Sequence, residues 1–258
     1  MPAPASLPST GMAFGRFPAD HPADRNFHLV LLALAWLGIL MGFGGTISRH
    51  LAENHPPYPF ITHVHSIVFL GWLVLFTVQI LLVRWRNLKA HRQLGWWMAS
   101  IAVIMIFLGP ATALHKQHLT MNEPNADPAF LSIQLTDLLA FAGLLAAGLM
   151  RRNEPAAHRR LMMLATLYIT DAGFARWLGG SFAGLAGGGM TGFWAGSYAH
   201  TTLLMLSLGA YDLVTRRRLH PAWIGGMVWV AANQAAALLL YQAPWWKQVA
   251  QRLIAAAF

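Results

Sequence analysis

Residues 61–83 read ITHVHSIVFLGWLVLFTVQILLV, and the basic turn RWRNLKAHRQLG follows at residues 84–95. The apolar run exceeds twenty residues, which is long enough for a helix to cross a hydrocarbon core about 30 Å thick. The pattern therefore predicts a membrane-spanning helix that carries His63 and His65 near one end and stops at a cationic turn.

The composition is that of a membrane protein. Hydrophobic residues make up 56% of the chain, charged residues make up 10%, and the mean hydropathy is +0.47. A soluble domain carries about 25% charged residues. The chain has no cysteine, which excludes disulfides, zinc–thiolate sites, iron–sulfur clusters and c-type haem. The basic residues lie in short clusters between apolar runs, so we expect a lipid bilayer as partner and no nucleic acid.

Apolar periodicity predicts an all-α polytopic bundle of about seven transmembrane helices within residues 28–242. Residues 1–27 hold five of the fourteen prolines, which favours a disordered tail. Residues 243–258 alternate Trp and aliphatic residues with polar ones, which is typical of an amphipathic helix in the membrane interface. The predicted spans are 28–48, 61–83, 94–114, 129–150, 161–182, 192–214 and 222–242.

Basic residues distribute unequally between the two sides of these spans. Thirteen of the 18 Lys and Arg residues fall on the side of the N-terminus, and five fall on the other. By the positive-inside rule, we expect a bacterial inner-membrane protein with its N-terminus in the cytoplasm and its C-terminus in the periplasm.

The three basic turns repeat one pattern. Each ends in a histidine just before the next helix: His91, His158 and His220. This repetition predicts a bundle built from related hairpins. For His91 and His158 the default expectation is solvation or lipid headgroup binding, and the alternative is a second cofactor site.

Two histidines inside spans are candidate ligands, because ionisable residues in a membrane usually face the bundle interior. His65 shares a helix face with Trp72 and Gln79 at seven-residue intervals, and His200 lies on a polar stripe of the sixth span. His63 is rotated by about 200° from His65 and is a weaker candidate. Imidazoles on two helices suit haem b or copper. The alternative for His65 is a hydrogen-bonded core histidine.

Four further polar residues lie in the spans. Asp137, Asp171 and Tyr168 are candidates for groups that orient the ligating imidazoles and so belong to the predicted cofactor site. The alternative is structural ion pairing. For that alternative we expect Arg176 to pair with Asp137, and Asp171 to pair with His200.

Three short motifs carry a resemblance to known families across about residues 60–180. They are His63-Val-His65, His91-Arg92-Gln-Leu-Gly-Trp and His158-Arg159-Arg160-Leu-Met. The chain resembles a group of uncharacterised bacterial multi-spanning inner-membrane proteins with these turns. It is also loosely similar to small four-helix membrane proteins implicated in cytochrome oxidase assembly. The resemblance implies a respiratory context with haem or copper.

The leading prediction is therefore a haem- or copper-binding membrane protein in electron transfer or oxidase assembly, with quinol or respiratory complex subunits as partners. A second prediction is a proton-coupled transporter that uses the buried Asp, Arg and His groups as a relay, with the glycine-rich segment 179–192 as an outer gate. A third is a structural subunit of a larger membrane complex. The patterns identify no catalytic residue.

Overall fold

The structure is a computed structural model and describes Phe17 and residues 20–258. This part of the protein is all-helical. Most of the predicted tail, residues 1–16, 18 and 19, lies outside the described residues. A 3₁₀ turn at Pro128–Phe130 and a π-helical stretch at Ala195–Ala199 accompany the α-helices. The α-helices are α1 Asp24–Ala52, α2 Phe60–Arg84, α3 Leu88–Leu119, α4 Leu131–Met150, α5 Pro155–Ile169, α6 Asp171–Leu185, α7 Gly189–Trp194, α8 His200–Arg216, α9 Pro221–Gln242 and α10 Pro244–Ala256.

Five helical segments of the described chain are long and apolar enough to cross a membrane: α1, α2, α3, Pro128–Met150 and α9. The prediction of an all-α protein with several candidate spans is confirmed. The decisive run 61–83 is matched within one residue at each end, since α2 begins at Phe60 and ends at Arg84. By contrast, α1 begins at Asp24, inside the predicted tail.

The predicted span 161–182 is wrong as a single helix. Its chain forms α5 and α6, which meet at Thr170. The Thr170 hydroxyl donates to the carbonyl of Leu167 at 2.7 Å, and such local side-chain bonds compete with the helical ladder. The Asp171 carboxylate accepts from the backbone N–H of Ala172 at 2.5 Å, which stabilises the new helix start.

The predicted span 192–214 is also interrupted. A helical run begins at Gly189, passes through the π-helical stretch, and continues as α8 to Arg216. Before it, Gly187, Gly188 and Gly189 have φ values of 81°, 79° and 56°. Residues with a Cβ rarely adopt such values, so this reversal depends on glycine.

The helices pack in pairs, and α4 and α5 are the most buried of them. Helix α4 packs against α5 and α9, while α1 packs along α6. Glycines permit the second contact, because a Cβ atom at Gly42 would overlap the carbonyl oxygen of Gly173. Helix α6 is therefore held against α1 at backbone distance.

The C-terminal segment forms the predicted helix, since α10 covers Pro244–Ala256. It packs on α3 and on the 3₁₀ turn. The buried indole of Trp246 anchors it by donating to the carbonyl of Ala129 at 3.1 Å. The position of α10 in the membrane interface stays a prediction.

Candidate functional site

Two aspartates meet in the interior of the bundle. Asp137 on α4 and Asp171 at the start of α6 lie with their carboxyl groups within hydrogen-bonding reach of each other. Asp171 is 6% exposed. Among the described residues, no Lys or Arg forms an ion pair with either carboxyl. We call Asp137 and Asp171 the carboxyl pair.

Two tyrosines complete the surroundings of the carboxyl pair. The hydroxyl of Tyr168 donates to Oδ1 of Asp137 at 3.0 Å. The Tyr198 ring stacks with that of Tyr168, with centroids 6.3 Å apart. The buried Tyr198 hydroxyl also lies beside Asp137, but without a hydrogen bond of regular geometry. The carboxyl pair thus has phenol groups as neighbours on one side.

Irregular backbone positions three of these four side chains. Tyr168 and Asp171 flank the break at Thr170, and Tyr198 belongs to the π-helical stretch. Segments of π-helix occur frequently at functional sites. The two interrupted helices therefore converge on Asp137, which the regular helix α4 supplies.

Both predicted ion pairs are wrong. Nη1 of Arg176 donates to the carbonyl of Ala172 at 2.6 Å, and the guanidinium lies 4.6 Å from the Phe43 ring centre. Arg176 contributes its charge near Asp171 but forms no ion pair with Asp137. The reason is geometric, because depth along a helix does not determine which neighbouring helix a side chain faces.

Both ring nitrogens of His200 form hydrogen bonds with backbone groups rather than with Asp171. Its Nε2 hydrogen-bonds to the carbonyl of Gly196 at 3.0 Å, and its Nδ1 accepts from the backbone N–H of Thr201 at 3.0 Å. Its ring lies between Phe174 and Phe182, at 5.7 and 5.8 Å. Neither ring nitrogen is therefore free for a metal in this conformation.

The other predicted ligands lie elsewhere. His65 stacks on Phe69 with centroids 4.0 Å apart, and its Nδ1 is buried without a hydrogen-bond partner. His63 is exposed, with its ring 6.5 Å from that of Tyr58. No group of three or more His, Asp or Glu side chains within the described part of the chain can hold a metal ion. Binding of haem or copper by these histidines stays a prediction.

Two of the repeated turns come together. The rings of His91 and His158 lie 6.4 Å apart. His158 Nδ1 hydrogen-bonds to the carbonyl of Gly148 at 2.8 Å, and the amide of Gln79 donates to the His91 carbonyl at 3.1 Å. These contacts hold the ends of α2, α3, α4 and α5 together.

A cluster of ion pairs lies where the N-terminal end of α1 meets α5 and α8. Arg216 binds Asp24 at 2.7 Å, Arg159 binds the same carboxylate at 3.0 Å, and Arg216 also approaches Asp212 at 3.4 Å. Nε and Nη2 of Arg160 each donate a hydrogen bond to the carboxylate of Asp212. The bond from Nε to Oδ2 is 2.6 Å long. The side chains of Arg160, Asp212 and Arg216 are 2%, 0% and 1% exposed. We call these five residues the arginine network.

Sequence reasoning missed this network. Arg159, Arg160 and Arg216 were assigned to topology, and Asp24 was assigned to a disordered tail. One signal was present, since Asp212, near the end of the predicted span 192–214, lies four residues before Arg216. The pairing of Asp24 with Arg216 joins positions 192 residues apart, and no local pattern reveals it.

No protein-family model, curated protein or solved structure matches this chain. The resemblance expected from the histidine motifs stays a prediction. Function is therefore inferred from the carboxyl pair and the arginine network.

Proposed function

We propose that the protein is a proton-coupled membrane carrier in which the carboxyl pair binds the coupling proton. The observation that carries this proposal is the contact between Asp137 and Asp171 without an ion-paired cation. Two carboxyl groups in contact cannot both be ionised at low cost, so they share a proton. Loss or gain of that proton changes the charge of the site by one unit.

The interrupted helices support the same proposal. In many transporters, ion and substrate sites lie where transmembrane helices are discontinuous. Here the break at Thr170 and the π-helical stretch both adjoin the carboxyl pair. A rearrangement at Thr170 would move Asp171 away from Asp137, and one at the π-helical stretch would move Tyr198, which links proton occupancy to conformation.

The carrier would have seven spans. To the five candidate spans we add two interrupted ones, α5 with α6 and the helical run 189–216. With thirteen basic residues on the N-terminal side and five on the other, this count puts the N-terminus in the cytoplasm and the C-terminus in the periplasm of a bacterial inner membrane.

The arginine network would then close the cytoplasmic side. Its ion pairs join α1, α5 and α8. Arg159 and Arg160 lie near the start of α5, whereas Asp171 of the carboxyl pair lies just beyond its end. Alternating access requires one side of a carrier to be closed while the other opens. Opening toward the cytoplasm would require these ion pairs to separate.

Two measurements test the proposal. Infrared difference spectra of the purified protein should show a protonated carboxyl band near neutral pH that disappears in both Asp137→Asn and Asp171→Asn. Vesicles loaded with a pH dye, tested against a panel of organic anions, cations and sugars, should reveal a solute that moves protons. Ser66→Ala, at an exposed hydroxyl on α2, is the matched control. A spectrum without that band, or proton movement unaffected by either Asn variant, would refute the proposal.

A second candidate is electron transfer or oxidase assembly with haem b or copper, with quinol or respiratory subunits as partners. One observation favours it: Nδ1 of His65 is buried and has no hydrogen-bond partner, so the imidazole is available to a ligand. The test is a reduced-minus-oxidised absorption spectrum of the purified protein, in which sharp haem bands that His65→Ala removes would support this candidate.

A further inference from the structure

A groove runs along the side of the bundle between α4 and α9. It encloses about 340 Å³ and is lined mainly by small and aliphatic residues, among them Gly143, Ala147 and Gly225. Trp229 lies in its lining and is held by a hydrogen bond from its indole to the carbonyl of Ala140 at 3.1 Å. Arg151 lies at the other end.

The groove has the dimensions and position of an acyl-chain site. Gly143 and Arg151 are eight residues apart, which corresponds to about 12 Å along a helix. Met150 and Trp229 in its lining are 75% and 38% exposed, so the groove opens to the outside of the bundle. Both α4 and α9 are candidate membrane spans, so hydrocarbon is the surrounding medium.

The charged end of the groove distinguishes it from a plain apolar surface. Arg152, the next residue along the chain, is also exposed but is not part of the lining of the groove. Arg151 pairs with Glu154 at 3.2 Å, but the two side chains are 57% and 58% exposed. Such exposed pairs are weak and exchange readily. A phosphate can therefore compete for the guanidinium.

We propose that this groove binds one anionic phospholipid of the leaflet that faces the basic turns. One acyl chain lies along Ala147, Ala222 and Gly225, and the phosphate contacts Arg151. Basic pockets between transmembrane helices favour anionic headgroups in this way. The site is separate from the carboxyl pair and does not depend on the proposed carrier function.

Native mass spectrometry of the full chain with equimolar phosphatidylglycerol and phosphatidylcholine tests the site. We expect one retained lipid, with phosphatidylglycerol favoured about fivefold, as a single cationic contact provides. Arg151→Gln should bring the ratio close to one. Gly225→Leu should reduce retention of both lipids, because a Cβ there meets open space and the longer side chain fills the groove.

Gly71→Leu is the matched control, since Gly71 also faces open space but lies on α2. It should leave retention unchanged, and equal melting temperatures of the two leucine variants would exclude misfolding as the cause of any difference. Equal retention of the two lipids by the wild type, or equal losses in both leucine variants, would overturn the proposal. If Gly225→Leu reduces retention but Arg151→Gln leaves the ratio unchanged, the groove binds neutral hydrocarbon and the anionic assignment is wrong.

Discussion

The arginine network and the carboxyl pair both contain buried aspartates, but the surroundings of these aspartates are opposite. Asp212 in the network contacts the guanidinium groups of Arg160 and Arg216. Asp137 contacts another carboxyl and the hydroxyl of Tyr168. Compensated carboxylates stay ionised and fix helices in place, whereas a pair of uncompensated carboxyls holds a proton. The difference separates a structural region from a site that can change its charge.

The largest expected effect is that of Asp212→Asn. This change leaves two buried guanidinium groups without their shared carboxylate, and breaking a buried ion pair on one side costs about 3–5 kcal/mol. The free energy of unfolding in mixed micelles should fall by that amount. Glu154→Gln, in an exposed ion pair, is the control and should cost about 0–1 kcal/mol. Similar losses for the two variants would contradict the structural role of the network.

The same substitution should cost much less at the carboxyl pair. In Asp137→Asn and Asp171→Asn, a neutral amide of similar size replaces one of the two carboxyls that share a proton. No charge is left unpaired, so the cost is that of about one altered hydrogen bond, roughly 0.5–1.5 kcal/mol. The free energy of unfolding, measured as for Asp212→Asn, should therefore change little. A loss as large as that of Asp212→Asn would mean that the carboxyls are ionised and paired with a cation.

A smaller effect distinguishes the two tyrosines. Tyr168→Phe removes the hydrogen bond to Asp137 and should lower the free energy of unfolding by about 0.5–1.5 kcal/mol. Tyr198→Phe removes a hydroxyl without a regular hydrogen bond and should be close to neutral. It is the matched control. The infrared band of the protonated carboxyl should shift in the first variant, and equal shifts in both would contradict the assigned contact.

The last expected effect concerns the pH dependence of stability near the arginine network. Burial, followed by the nearby charge of Arg160, lowers the pKa of His220 from 6.5 to about 4. The folded protein keeps this histidine neutral, so between pH 6.5 and 4 the unfolded chain binds more protons. The free energy of unfolding contributed by His220 therefore rises with pH through that window and is constant above it.

Chemical denaturation at several pH values measures this contribution. His220→Asn is the comparison, because asparagine retains a side-chain acceptor for the Ala222 N–H that His220 caps. The difference between the two proteins should depend on pH only below about 6.5. A free energy of unfolding that falls, relative to His220→Asn, as the pH rises above about 6.5 would show that His220 is charged in the folded state.

The sequence predicts the helices of this fold better than their contacts. The boundaries of α2 and α9 follow from apolar runs and are right within one residue. The break at Thr170 was not predictable from apolarity, because apolar residues lie on both sides of it. The candidate residues Asp137, Asp171 and Tyr168 were selected by their depth in the membrane, and the structure brings all three together.

What the sequence did not predict depends on the arrangement of helices around the bundle. An ion pair was predicted between Asp137 and Arg176, and no partner was predicted for Asp24. The pattern of polar residues along one helix does not show which other helices lie beside it. His200 was predicted to be a ligand from its polar stripe, but the carbonyl of Gly196 is one turn away on the same helical run and takes its Nε2. Local backbone partners thus satisfy side chains that appear free in the sequence.

Helix α1 connects the two regions mechanically. Asp24 near its start is bound to Arg216, and Gly42, about 27 Å farther along the helix, lies against the backbone of Gly173, two residues after Asp171. Because α1 is continuous over 29 residues, it acts as a stiff rod between the two attachments. Any sliding of α6 along this rod must break a backbone contact at one end or strain an ion pair at the other.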